Sequence, residues 1–294
     1  MPSANSLTDQ VRAFLTCCDD IHHLNSVMAW VNTLSNNPIE SSMKIFKKMG
    51  GAPELWGAGT CTTVTHLFKH GDVLPYSAAY GGKWTKGQGI GKFRTEMDSR
   101  NCSLNLTIVY EAWEKFVKSI LPIILFEARK GHSLKAGSVE RFLKRYPAFL
   151  GQEDTLDYFV NFVKFICLQD CTEAYGYLKR VLEFDAKVKL IRCPGLKMCW
   201  FEVVKLITFC RNHIVHGDGR VSTDRLSRLG PVLARWVEER IAESIITSER
   251  RLFLKMNDFE SLVRALTSLA YGIYLLAIEK FDFEQDFDLF SGLK

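Results

Sequence analysis

From residue 104 to residue 281, apolar side chains recur every three or four positions with few interruptions, which commits most of the chain to packed helices. Leu104 to Arg129 reads as one long apolar helix that Pro122 should kink or break. Gly131 to Ser138 reads as a loop. Val139 to Phe149, Thr155 to Leu168 and Glu173 to Phe184 read as shorter helices. Leu196 to His216 is a further helix, stopped by Gly217-Asp218-Gly219. Thr223 to Ser248 follows, interrupted at Gly230-Pro231, and Asp258 to Phe281 closes the series with Asp258 offering an N-cap.

The first hundred residues have a different texture. Residues 7–35 keep helical spacing through Val11, Phe14, Leu15, Ile21, Leu24, Val27, Met28 and Val31, until Ser35-Asn36-Asn37-Pro38 ends the pattern. Glycine then becomes frequent. Thr60 to Phe68 has the β-branched content and partial alternation of a short strand, and Gly81 to Gly91 reads as a long loop. The predicted class is all-α: a helical bundle behind a helical and loop-rich extension with one short β element. The predicted divisions are an extension over 1–100, a helical domain over 101–285 and a tail over 286–294.

Charge excludes some functions and leaves others open. Lys and Arg number 38 against 33 Asp and Glu, a net +5 that is too mild for a nucleic-acid coat protein, so charge has to be judged locally. The nine cysteines are odd in number and irregularly placed. Residues 1–15 carry Asp9 and Arg12 and no apolar segment of the kind a signal peptide needs. Both features fit a reduced, cytoplasmic chain. Leu269 to Ile278, the longest apolar run near the C-terminus, is far shorter than the ~20 residues of a membrane span and reads as a buried helix. Neither Cys167-x-x-x-Cys171 nor Cys193-x5-Cys199 has zinc-finger spacing, so these cysteines read as small apolar residues and no metal site is expected.

One segment carries chemistry: Arg211-Asn212-His213-Ile214-Val215-His216-Gly217. On an ideal helix at ~100° per residue, Trp200, Phe201, Val203, Val204, Ile207 and Cys210 cover most of the circumference. Glu202, Lys205, Thr208, Asn212, His213 and His216 form a polar stripe about 140° wide, and Arg211 projects about 100° from its centre. A polar stripe through an otherwise apolar helix needs partners or a purpose. The negative end of the helix dipole favours a protonated imidazole at His216, which could exchange protons with a ribose hydroxyl or a leaving oxygen. Arg211 offers a permanently charged fork suited to phosphate oxygens, and Asn212 an amide for positioning. The plainer reading is an ordinary helix terminus, since basic residues and a following glycine both favour termination.

Arg211-Asn212-x-x-x-His216, followed by Gly217-Asp218-Gly219, resembles the signature of the HEPN superfamily. Val109 to Phe116 resembles the first core helix of that fold, and Asp258 to Phe281 its last. The resemblance covers about residues 100–285. It implies a homodimeric all-α bundle in which two motifs face a shared groove. It also implies a metal-independent endoribonuclease that leaves a 2′,3′-cyclic phosphate and needs no cofactor. The catalytic residues it assigns are Arg211, Asn212 and His216, and the usual setting is a toxin or anti-phage effector with an antitoxin or other regulatory partner. Some members of the superfamily are not nucleases and bind partners or nucleotides instead.

Lys205, His213, Arg220, Arg225 and Arg228 are the candidate RNA-binding residues around the motif. The alternative for the arginines is a solvated face paired with Glu238, Glu239 and Glu243. Gly87-x-Gly89-x-Gly91 with Lys83, Lys86, Lys92 and Arg94 hints at a phosphate-cradling loop. It lacks the Gly-Lys-Ser/Thr ending of a P-loop, and a surface loop is the better reading. Glu111 and Glu114 could orient Arg211 or His216 across the bundle, although a salt bridge or simple exposure suits each better.

Overall fold

A computed structural model describes residues 7–27, 61–67, 73–79, 89–129, 134–152, 155–169, 171–183, 198–217, 219–246 and 249–283. The chain divides into two units, Asn25–Asp98 and a larger one made of Met1–Leu24 with Ser99–Lys294. The described residues are mostly helical, as the apolar period predicts.

Strands β1 (Cys61–Leu67) and β2 (Val73–Ala79) of the smaller unit pair antiparallel, with Val64 opposite Tyr76. The predicted strand is β1; its partner carries Pro75 within it and was not anticipated.

Helix α1 spans residues 7–27, and its part in the larger unit buries Leu7, Val11, Phe14, Leu15, Cys18 and Ile21 at i, i+4, i+7 spacing. Phe14 packs edge-on to Trp113 at 5.7 Å and stacks on Phe116 at 5.3 Å. The start of the chain therefore contributes to the helical core. Helix α2 (Gly89–Ala128) runs through Pro122 without breaking. The ~3 kcal/mol penalty of an internal proline is outweighed by its neighbours. Ile120, Leu121, Ile123 and Ile124 are all buried, at about 1.5–3 kcal/mol each. Gly89 and Gly91 lie in the first turn of α2, so the glycine-rich stretch is helical from Gly89 onward; Gly87 lies outside the described residues.

Helix α3 (Ala136–Arg145), the single 3-10 turn Pro147–Phe149 and α4 (Leu156–Gln169) meet at Phe142, which is fully buried. Helix α5 (Cys171–Val181) follows, with Tyr177 edge-on to Phe162 at 5.8 Å. The motif helix α6 (Trp200–Gly217) leads into strand β3 (Arg220–Ser222), α7 (Thr223–Ser227) and α8 (Pro231–Arg240). Gly230, at φ 89°, supplies the turn before Pro231, where the interruption was expected.

Beyond Arg240 the expected helix gives way to β4 (Ala242–Ile246) and β5 (Glu249–Leu252), which pair with β3 in the order β3-β5-β4. The cause is partly local and partly tertiary. Ile245 and Ile246 are β-branched, and β3 supplies an edge that helical period alone cannot reveal.

The closing helix α9 (Met256–Phe281) starts one turn earlier than expected. Asp258 is not its cap. Lys255 holds that position without a side-chain bond, while Asp258 is buried in the first turn and pairs with Arg240 at 3.3 Å. By length and composition α9 could cross a membrane, but 61% of its apolar window is buried inside the protein, where it forms core. Thr8 Oγ1 and Tyr274 Oη lie 3.1 Å apart, tying α1 to α9.

Candidate functional site

The motif occupies the last turns of α6, and each of its side chains has a different fate. Arg211 is partly buried. Its guanidinium carbon lies 5.4 Å from the ring centroid of Tyr110 on α2, and Nη1 donates to Asn212 Oδ1 at 3.1 Å. Arg211 Nε is buried with no hydrogen-bond partner. Its charge therefore rests on an aromatic face and a neutral amide, with no carboxylate beside it among the described residues. Glu114, one candidate to orient it, pairs instead with Lys118 at 3.4 Å, and Glu111 is exposed.

Asn212 and His216 are exposed on the polar side of the helix. Arg211 and His216 are five residues apart, about 140° around the axis. Within one chain the cation leans toward α2 while the imidazole faces solvent.

His213 does not share that exposure. It is buried at 6%, tilted against Phe209 with centroids 4.4 Å apart, and Nδ1–H donates to the Arg220 carbonyl at 3.1 Å. Gly219 N–H in turn donates to the His213 carbonyl at 2.9 Å, and Leu252 N–H donates to the Gly219 carbonyl at 2.8 Å. Gly219 adopts φ 74°, a conformation that glycine reaches without strain. These bonds pin the end of α6 to β3 and β5, so His213 organises the motif from inside the fold.

Burial lowers the pKa of His213; the bond to the Arg220 carbonyl partly opposes this, and the charge of Arg225 adds to the lowering. The folded state therefore favours the neutral ring. An unfolded histidine takes up its proton near pH 6.5, so below that value the unfolded chain binds more protons than the folded one. Stability should fall with acidification from about pH 6.5 and be indifferent to this group above it. Urea unfolding between about pH 7.5 and 5.5 measures the effect. His213→Gln, which keeps a donor and cannot titrate, should flatten that part of the profile; an equal slope in the variant would assign the dependence elsewhere.

The remaining candidates separate by partner. Lys205 Nζ donates to the Leu229 carbonyl at 3.0 Å, closing the end of α7. Arg228 pairs with Asp224 at 2.7 Å on the surface, and Arg235 with Glu239 at 3.5 Å. Arg225 is exposed, and its backbone N–H donates to Ser222 Oγ, the N-cap of α7. Arg220 is exposed on β3 and directly opposite Arg251 on β5. Sequence reasoning missed Arg251, because only strand register places it beside the motif.

Cys210 is fully buried, and burial pushes its thiol up to about 12. Cys167 is also buried, and among the described residues no three His, Cys, Asp or Glu side chains converge as a metal site would require. Comparison with family models, with characterised proteins and with solved structures returns no match.

Proposed function

We propose that the chain is a metal-independent endoribonuclease of the HEPN type, cleaving RNA by attack of a ribose 2′-hydroxyl on the adjacent phosphate. The observation that carries this reading is Arg211, a partly buried cation whose charge no carboxylate neutralises among the described residues, on the same helix as an exposed His216 five residues later. In this scheme His216 moves the proton of the attacking hydroxyl or of the leaving oxygen. Arg211 offsets charge developing on the non-bridging oxygens, and Asn212 holds the guanidinium in place through its Oδ1.

The 140° between Arg211 and His216 is accommodated when two copies associate, so that one copy's imidazole works beside the other's guanidinium. A homodimer is thus part of the proposal, as is the role of a toxin or anti-phage effector held in check by a partner. Purified protein incubated with RNA in excess EDTA should generate fragments ending in 2′,3′-cyclic phosphate at an unchanged rate. Cleavage that stops on chelation, or 3′-hydroxyl ends, would exclude the mechanism.

A second reading is a non-catalytic module that binds a partner or a nucleotide. It is favoured by the exposed Leu104 and Ile108 on α2 and Val215 on α6, three apolar side chains uncovered at 61%, 40% and 48%. Protein that self-associates yet leaves RNA intact would select it.

A further inference from the structure

The outer face of the three-stranded sheet carries charges whose arrangement is not explained by folding. Val221 and Leu252 are buried at 1% and 5%, so strand alternation turns Arg220 and Arg251 to the opposite face. The Leu252–Gly219 bond makes that adjacent pair a hydrogen-bonded one. Arg220 and Arg251 therefore occupy a non-hydrogen-bonded position, where opposed Cα atoms are only about 4.5 Å apart. Like charges directly opposite each other destabilise a sheet.

Neighbouring arginines are neutralised: Arg228 by Asp224, Arg235 by Glu239, Arg240 by Asp258 and Arg264 by Glu260. Arg220, Arg225 and Arg251 make no such pair among the described residues. By strand register, Arg251 lies opposite Glu243 on β4, and Ser222 opposite Glu249. Arg225 is exposed on α7, which follows β3 directly and is capped by Ser222 of that strand.

We infer that Arg220, Arg225 and Arg251 form a platform for the phosphate backbone of single-stranded RNA, guiding the strand past the exposed end of α6. This deepens the ribonuclease reading and rests on RNA as the ligand. The juxtaposed cations are a local electrostatic cost that a bound polyanion relieves.

The test uses the full-length His216→Ala protein, so that binding is measured without cleavage, and a fluorescein-labelled single-stranded oligoribonucleotide followed by anisotropy over a salt series. Arg220→Gln with Arg251→Gln should weaken binding about tenfold and reduce the log–log salt slope by roughly 1.4, about 0.7 for each lost contact. Glu243→Gln should tighten binding. Arg235→Gln and Arg264→Gln, which disrupt surface ion pairs, should change neither. The double variant should unfold at the parent temperature or higher, since a like-charge pair has been removed; a lower value would mark the arginines as structural.

Unchanged affinity in the double variant overturns the platform, as does equal weakening by the two controls. No oligonucleotide binding by the parent, with binding to phosphatidylserine vesicles in its place, also overturns it. RNA binding that depends on Arg220 and Arg251, in a protein whose His216-containing form cuts nothing, keeps the platform and removes the nuclease. Cleavage with binding indifferent to both arginines does the reverse.

Discussion

Replacing His216 with Ala is expected to lower RNA cleavage by about 10²- to 10⁴-fold, the usual contribution of a positioned general acid or base. The imidazole is exposed at the last turn of α6 and has no hydrogen-bond or ion-pair partner among the described residues, so its removal breaks no described contact. Cleavage and stability should therefore separate: the variant should keep its unfolding midpoint and its oligomeric state while losing activity. Cleavage rates on a defined oligonucleotide, read beside urea unfolding curves, check both halves. A variant that cuts at the parental rate would remove His216 from the mechanism, and one that unfolds early would show that the residue acts through structure.

Phe142→Ala is expected to have the largest effect on stability, a loss of about 3–5 kcal/mol. Phe142 is wholly buried where α3, the 3-10 turn and α4 meet. Its ring stands edge-on to Tyr158 at 5.3 Å and to Phe162 at 5.5 Å, and is tilted against Tyr146, Phe149 and Phe165 at 5.3, 5.6 and 5.7 Å. Rings so dispersed cannot close together over the vacated volume, so a cavity term adds to the lost transfer energy. Edge-to-face pairs add about 0.5–1.5 kcal/mol each beyond burial. Against a total near 5–15 kcal/mol, the loss is a large fraction of stability. Phe142→Leu, which leaves a smaller void, should lose markedly less. Chemical unfolding of both variants decides it, and equal losses would mean that the size of the void does not set the cost.

The helices were legible in the sequence because burial against a common core imposes the helical period directly. Helices α4, α5, α6 and α9 fall within a few residues of the apolar stretches that announce them, and α1 covers residues 7–27 of the stretch expected over 7–35, the rest of which lies outside the described residues. Strands β4 and β5 were not legible, because Ile241 to Leu252 is short, charged and without clean alternation, and its pairing depends on β3 about thirty residues earlier. Pro122 was read as a breaker since local chemistry says so, yet the buried isoleucines beside it hold α2 together.

At the candidate site the same division holds residue by residue. The sequence determined where the motif helix ends, because Gly219 can take the positive φ that turns the chain out of it, and it brought Arg211, Asn212, His213 and His216 into the last turns of one helix. Helical spacing could not show which of the two histidines is buried, since both lie on one polar stripe. Tertiary structure decided that: the Arg220 carbonyl gives His213 a partner inside the protein, while His216 has none among the described residues and is exposed. Tertiary structure also set Arg211 against Tyr110 and Arg220 opposite Arg251. Periodicity fixes which face of an element a residue occupies, but what that face meets depends on partners distant in the chain.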